Sequence, residues 1–332
     1  MTVHSDYLDR IRGELWARDV FTFIPDRDLP PPSGGVAVDD GPRVAFAGFP
    51  SDYSLGFLLA LLQLDVRPCG IITSPGAHPA ILGDNALSRI ADHLDVPLLR
   101  AWRVNDEHSR LWLGDIDADA IVMASFDQIV GGRALAIPRH GWLNAHPSLI
   151  PRYRGPEPVY WAIAEGAAET GITLHRAAPK VDSGPILAKA SVAIEPTDNA
   201  GTLTKRLVQK GVELLPTALN ALLHDIAGVP PDMSLSTYRT SVGHRSLQTA
   251  ATAVEAERMV RAGFPNMRAW ALIDGRPEYV CAARVVRRRE DARGHTLTFA
   301  DSVLELSEVC PTCGCHHDIA DCPHREAAVA TL

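Results

Sequence analysis

From Arg43 onward, short apolar runs alternate with amphipathic stretches, and this limits what the chain can fold into more than any other feature. "RVAFAGFP" is an apolar run ending at Gly48, "SDYSLGFLLALLQL" has helical spacing, and "VRPCGIITS" is apolar again. The exchange recurs through "NALSRIADHLD", "VPLLRA" and "DADAIVMASF". Strands separated by helical crossovers predict an α/β domain with a parallel sheet and helices on both faces. Ligands of such sheets sit beyond the carboxyl ends of the strands.

Further on, "PVYWAIAEG" reads as a helix, "TGITLHRA" and "PILAKASVAI" as strands, and "TDNAGTLTKRLVQKGVELLPTALNALLHDIAG" as a long helix capped by Thr197 or Asp198. After a Pro-marked polar linker, one helix, "ATAVEAERMVRAG", precedes three short strands, "RAWALID", "EYVCAARVVRR" and "HTLTFADSVLELS". Turns at Asp274-Gly275 and Gly294 join them, as in a small β-rich, barrel-like (OB-like) domain. The expected organisation is therefore an N-terminal helical extension and linker over 1–41, with its helix at Ser5 to Ala17, and an α/β domain over 42–228. A linker over 229–246, a small β-rich domain over 247–308 and a Cys/His tail over 309–332 complete it.

Composition narrows the function classes. A formal charge of −8 argues against general attraction to phosphate backbones. The apolar run "FLLALL" is broken within a few residues by Gln63, Asp65 and Arg67, so no membrane span is expected. The opening "MTVHSDYLDRIRGELWARD" has no apolar core of a secretory signal, and the cytoplasm is the expected compartment.

Chemistry-bearing side chains concentrate in "GWLNAHPSLIPRYRGPEP". Asn144 and His146 are two apart, which in an extended chain turns both toward one face and so toward one substrate carbonyl. Downstream, "KVDSGPIL" places Asp182 before Ser183-Gly184 in a loop between two strands. A carboxylate beside the imidazole would orient it and favour its protonated form. Amide and imidazolium together would then offer two donors to an oxygen that becomes negative in a tetrahedral intermediate. Taken singly, Asn144 could cap a strand end, His146 could be a satisfied core histidine and Asp182 an ordinary turn carboxylate.

The run "NAHPSLIPRYRG…ETGITLHR…VDSGPIL" resembles the folate-dependent formyltransferase family, which includes enzymes acting on methionyl-tRNA, glycinamide ribonucleotide and amino sugars. The resemblance spans roughly Arg43 to Gly228 and continues more weakly into the small C-terminal domain. It implies the family's Rossmann-like catalytic fold and 10-formyltetrahydrofolate as formyl donor. By the same resemblance Asn144 binds the formyl oxygen, His146 stabilises the oxyanion and takes part in proton transfer, and Asp182 holds His146 and an ordered water. The pterin would lie against the backbone of Val181 to Gly184 and the segment carrying Phe126 and Asp127. Ser148, Leu149 and Pro151 would form another wall.

The acceptor is narrowed by charge. The tRNA enzymes of that family usually carry a basic insertion after the second strand, where this chain reads "TSPGAHPAILGDNALSR", with no lysine and one arginine. Between Ser246 and Glu308 there are nine Arg and no Lys against nine Asp plus Glu. Phosphate contacts supply most tRNA affinity, so a small-molecule amine, such as a nucleotide-linked amino sugar or a secondary-metabolite amine, is the expected acceptor and nucleic acid is not. Methionyl-tRNA formylation and 10-formyltetrahydrofolate hydrolysis are the alternatives. Arg152 and Arg154 are candidates for an anionic part of the acceptor or the folate glutamate, or are simply solvated.

The tail "CPTCGCHHDIADCPH" departs from the family pattern. Cys310 and Cys313 have zinc-knuckle spacing, and Cys322 and His324 could complete a tetrahedral structural Zn²⁺ site, with Cys315, His316 and His317 competing. A recruitment module is the other reading of the tail. The N-terminal forty residues are candidates for packing on the catalytic domain or for making a homodimer.

Overall fold

The computed structural model describes residues 41–74, 86–264 and 269–310, which divide into two units. The first runs to Arg154 and includes Gly171–Val192 and Lys205–Thr237; the second holds Gly155–Thr170, Ala193–Thr204 and the chain from Tyr238. The helix expected over Ser5 to Ala17 lies outside the described residues.

The first unit is built on a sheet of seven strands: β1 (Val44–Gly48), β2 (Ile71–Thr73), β3 (Leu98–Arg100), β4 (Ala120–Ala124), β5 (Trp142–His146), β6 (Glu169–Arg176) and β7 (Ile186–Ala193). Their order across the sheet is β3-β2-β1-β4-β5-β6-β7. Every residue of β1 is buried, as a central strand covered on both faces requires, and this is why it reads as an unbroken apolar run. The helix that follows, α1 (Asp52–Gln63), is buried without interruption from Tyr53 to Leu62. Ser51 caps it by accepting from the Ser54 amide. The Ser54 hydroxyl donates to the Ala124 carbonyl at 2.5 Å, tying the start of α1 to the end of β4.

Parallel pairing of β1 with both β2 and β4 makes the strand order reverse there, and β5 continues parallel to β4. The open crevice of such a sheet lies at that reversal, beyond the carboxyl ends. Antiparallel pairing enters this mostly parallel sheet at β6. Strand β5 carries both Asn144 and His146, and β6 pairs with it antiparallel, setting Asn144 opposite His175 and His146 opposite Thr173. A strand's direction is decided by where its connection re-enters the sheet, which the strand's own pattern does not record.

Helices α2 (Ala86–Leu94), α3 (Glu107–Asp115), α4 (Gly132–Leu135) and α5 (Pro158–Ala164) connect the strands up to β6, and α6 (Ala200–Leu223) follows β7. The apolar face of α6 recurs at helical spacing, with Leu203, Leu207, Val208, Val212, Leu215 and Leu219 fully buried. Its cap is neither Thr197 nor Asp198: the Asn199 side-chain oxygen accepts from the Thr202 amide at 2.9 Å. The Asp198 carboxylate turns back instead to the Glu195 amide and the Thr202 hydroxyl, at 2.7 and 2.9 Å.

In the second unit, α7 (Ala253–Gly263), capped by Thr252, packs on four strands: β8 (Trp270–Ile273), β9 (Arg276–Val286), β10 (His295–Thr298) and β11 (Val303–Cys310). These form an antiparallel sheet ordered β10-β11-β9-β8. The stretch "HTLTFADSVLELS" is two strands rather than one, because the chain turns between Phe299 and Ser302, whose backbone bond is 2.9 Å. Leu247, Val260, Ile273, Val280, Leu304 and Leu306 make this unit's own core, the small β-rich module that the turn signals imply. Among the described residues no helix is long and apolar enough to cross a membrane.

Candidate active site

Strand alternation puts Asn144 and His146 on the same side of β5, and the loop after β6 brings Asp182 to them. The Asn144 amide donates to Asp182 Oδ1 at 3.2 Å, and His146 Nδ1 stands 3.6 Å from Asp182 Oδ2. His146 and Asp182 are buried, at 6% and 8% exposure. A fourth side chain completes the cluster. His175, directly across the ladder from Asn144, has its Nε2 3.1 Å from the Asn144 amide nitrogen and 3.7 Å from Asp182 Oδ1. The alternation of "ETGITLHR" puts His175 on one face of a strand, but only the antiparallel register sets it opposite Asn144.

The hydrogen bonds fix the tautomers. A carbonyl oxygen can only accept, so the 2.9 Å contact from His146 Nε2 to the Tyr153 carbonyl puts a proton on Nε2. The neutral ring therefore presents its Nδ1 lone pair to Asp182, and a proton taken up in a reaction arrives at Nδ1, where the carboxylate stabilises it. By the same argument His175 Nδ1 donates to the Arg176 carbonyl at 2.8 Å, leaving its Nε2 to accept from Asn144. Both hydrogens of the Asn144 amide are thus engaged inside the cluster. Burial, opposed by Asp182 and the Tyr153 hydrogen bond, holds the His146 imidazole below its ordinary proton affinity, with His175 and Arg154 adding to the depression. A buried neutral imidazole beside a carboxylate is suited to general-base work.

The other residues singled out from sequence surround this cluster in the chain. Ser148 is fully buried, with its hydroxyl on the Arg152 carbonyl at 2.7 Å and its own carbonyl taken by Thr173 Oγ1 at 2.7 Å. Leu149 packs over Gly171, and Pro151 accepts the Thr237 amide at 3.1 Å. Val181 and Gly184 flank Asp182, and a Cβ on Gly184 would land on the Arg176 carbonyl oxygen, so only glycine fits. Phe126 and Asp127 lie one strand away, beyond the end of β4; Phe126 is partly buried on the core, and Asp127 accepts from the Ser74 hydroxyl at 3.2 Å. Arg152 is exposed, whereas Arg154 is buried and bonded to protein groups. Tyr53, in the first turn of α1, donates its hydroxyl to the Ala145 carbonyl between Asn144 and His146 at 3.1 Å.

Cys313, Cys322 and His324 of the expected metal site lie outside the described residues, and Cys310 is the last residue of β11. Among the described residues no group of three or more His, Cys, Asp or Glu is arranged to hold a metal ion.

Residues 90–219 match the model of a family described as formyl transferase. Methionyl-tRNA formyltransferase of Mycobacterium bovis (strain BCG / Pasteur 1173P2) is 34% identical over 238 residues, covering 70% of this chain and 76% of that protein. The chain belongs to the folate-dependent formyltransferase family. This formyltransferase is accordingly a transferase enzyme, and the methionyl-tRNA formyltransferase of Mycobacterium tuberculosis (strain ATCC 25177 / H37Ra) is also 34% identical over 238 residues. Among solved structures, its fold is similar to that of an N-formyltransferase from Helicobacter canadensis in complex with folinic acid and dTDP-3-aminofucose. That likeness has a TM-score of 0.58 at 16% identity and covers 80% of this chain and 98% of the other. A sugar N-formyltransferase from Shewanella sp FDAARGOS_354 gives a TM-score of 0.55 at 19% identity, over 72% of this chain and 96% of the other.

Proposed function

We propose that the chain transfers the formyl group of 10-formyltetrahydrofolate to an amino group of a small metabolite, with Asn144, His146 and Asp182 as catalytic residues. The observation that carries this reading is their convergence: an amide and a buried imidazole share one carboxylate at the end of β5. In the step proposed, the acceptor amine attacks the formyl carbon, a C–N bond forms and the carbonyl oxygen becomes negative. The Asn144 amide turns a hydrogen toward that oxygen. His146 Nδ1 takes the proton shed by the amine, directly or through a water, and Asp182 balances the imidazolium. Returning that proton to the folate nitrogen lets the second C–N bond break. The donor supplies an activated one-carbon unit. Its pterin would meet backbone at Val181 and Gly184, where the glycine keeps the loop tight, with Ser148, Leu149 and Pro151 on one side and Phe126 and Asp127 on the other.

A small acceptor is favoured by the formal charge of −8 and the absence of lysine from residues 73–89. The 34% identity to methionyl-tRNA formyltransferases over three quarters of their length supports the second reading, a charged initiator tRNA as acceptor. Incubating the protein with 10-formyltetrahydrofolate and a panel of amino-sugar nucleotides, hydroxylated diamino acids and charged initiator tRNA separates the two. The expected result is a mass gain of one carbonyl on a small amine. Gain on the tRNA alone overturns it, and formate release with no acceptor formylated makes the protein a hydrolase. For the tail we propose structural zinc on Cys310, Cys313, Cys322 and His324, supported by their spacing. Metal analysis of protein purified without chelator should find one equivalent, lost in Cys313→Ser.

A further inference from the structure

Asp182 occupies the left-handed region of the backbone, at φ 47°, and so does Tyr153, at φ 52°. An aspartate enters that region readily in turns, whereas a bulky residue such as tyrosine does so rarely. Here one side chain links the two turns. Arg154 is buried, at 6% exposure, and directs both Nε and Nη2 at the Val181 carbonyl, 2.9 and 2.6 Å away. Its Nη1 donates to the Ser236 hydroxyl at 2.9 Å. Its backbone amide donates to the Thr237 carbonyl at 3.0 Å, and the Tyr153 amide donates to Thr237 Oγ1 at 2.8 Å. Residues 153 and 154 therefore touch both halves of the His–Asp pair. The Tyr153 carbonyl holds His146 Nε2, and the Arg154 guanidinium holds the peptide that leads into Asp182.

We propose that Arg154 is a positioning residue of the catalytic centre: by clamping the Val181 carbonyl against Ser236, it fixes the Asp182 carboxylate in register with His146. The proposal rests on the reading of Asn144, His146 and Asp182 as the catalytic groups. It gives an arginine that looks like a surface loop cation in the sequence a role inside the site without contact to substrate. It also gives residues 236–237, which the sequence leaves in a linker, the job of anchoring that arginine. A second consequence is electrostatic. The charged groups facing the imidazole are Asp182, which favours its protonated form, and Arg154, which disfavours it, and the titratable His175 ring also lies against it on the disfavouring side. The guanidinium thus keeps the ring available as a base while holding the carboxylate that will stabilise its conjugate acid. A lysine could keep the charge, but its single ammonium cannot reproduce two donors on one carbonyl together with a third on Ser236.

The test uses the full chain in two readouts: the titration midpoint of the His146 ring followed by ¹⁵N NMR, and formyl loss from 10-formyltetrahydrofolate with hydroxylamine as acceptor. Arg154→Gln should raise the midpoint and slow transfer by about tenfold or more. Arg154→Lys should leave the midpoint near that of the parent while transfer still falls. Ser236→Ala, which removes one anchor and no charge, should slow transfer less than either. A folded Arg154→Gln protein with an unmoved midpoint and parental transfer overturns the proposal. So do Arg154→Lys and Ser236→Ala proteins that both transfer at the parental rate, which decides the matter should the glutamine variant fail to fold. His146→Ala is the control for the underlying reading: if it transfers normally, the catalytic assignment fails whatever Arg154 does. If it is inactive and the Arg154 variants are unaffected, only the positioning role fails.

Discussion

Asp52, the first residue of α1, gives the sharpest physical prediction. Burial pushes its carboxyl from an ordinary 3.8 up to about 7. The folded state therefore prefers the protonated acid, and the unfolded chain ionises first as pH rises. Stability is lost as pH climbs from the unfolded value toward the folded one, and the full cost is present above the folded value. At about 1.4 kcal/mol per pH unit of displacement, the ceiling is roughly 4 kcal/mol, of which about 2–3 kcal/mol develops between pH 5 and pH 8. Asp52→Asn removes the ionisation while keeping the shape. In thermal unfolding the variant should melt about 3–6 °C higher than the parent at pH 5 and about 8–16 °C higher at pH 8, at roughly 2–4 °C per kcal/mol. A difference between the two proteins that stays constant from pH 5 to pH 8 would refute the reasoning, since the displacement would then be absent.

Alanine at Asn144, His146 or Asp182 should lower turnover by about 10²–10³-fold or more with the fold retained by circular dichroism; near-normal turnover in a folded His146→Ala protein removes the catalytic assignment. His175→Ala should leave the Asn144 amide half-anchored and cost about tenfold or more in transfer, read from kcat rather than KM. Gly184→Ala should be poorly folded or inactive, because its new Cβ would collide with the Arg176 carbonyl; an alanine variant with parental melting and activity would contradict the described loop. Finally, burial keeps the His146 ring easier to deprotonate than a free one, so unfolding should become easier as pH falls below about 6.5, where the unfolded ring takes up a proton first. His146→Gln should lessen that acid sensitivity in urea titrations; unchanged sensitivity would place its origin elsewhere.

How much of this could be read from the residues depends on what each feature is made of. The two-residue period of a strand is local, so the shared face of Asn144 and His146 is visible in "NAH". Helix α7 is visible through its cap and spacing, and the central strands through their unbroken apolarity. His175 is a partner only because β6 runs against β5, and strand direction is a property of the whole connection. Arg154 looks solvated in "PRYRGP" because its partners, the Val181 carbonyl and Ser236, are 27 and 82 residues away. The cap of α6 falls one residue beyond the expected pair because Asp198 is occupied with Glu195 and Thr202.

The closed arrangement of the Asn144 amide has a consequence for selectivity in time. An uncharged carbonyl arriving beside the amide must compete for its N–H groups with a carboxylate and an imidazole nitrogen, both better acceptors than itself. An alkoxide can win the contest. The asparagine would therefore be nearly indifferent to a ligand merely docked there and would commit its donor only once electrons have moved, which is when stabilisation accelerates a reaction rather than tightening a resting complex.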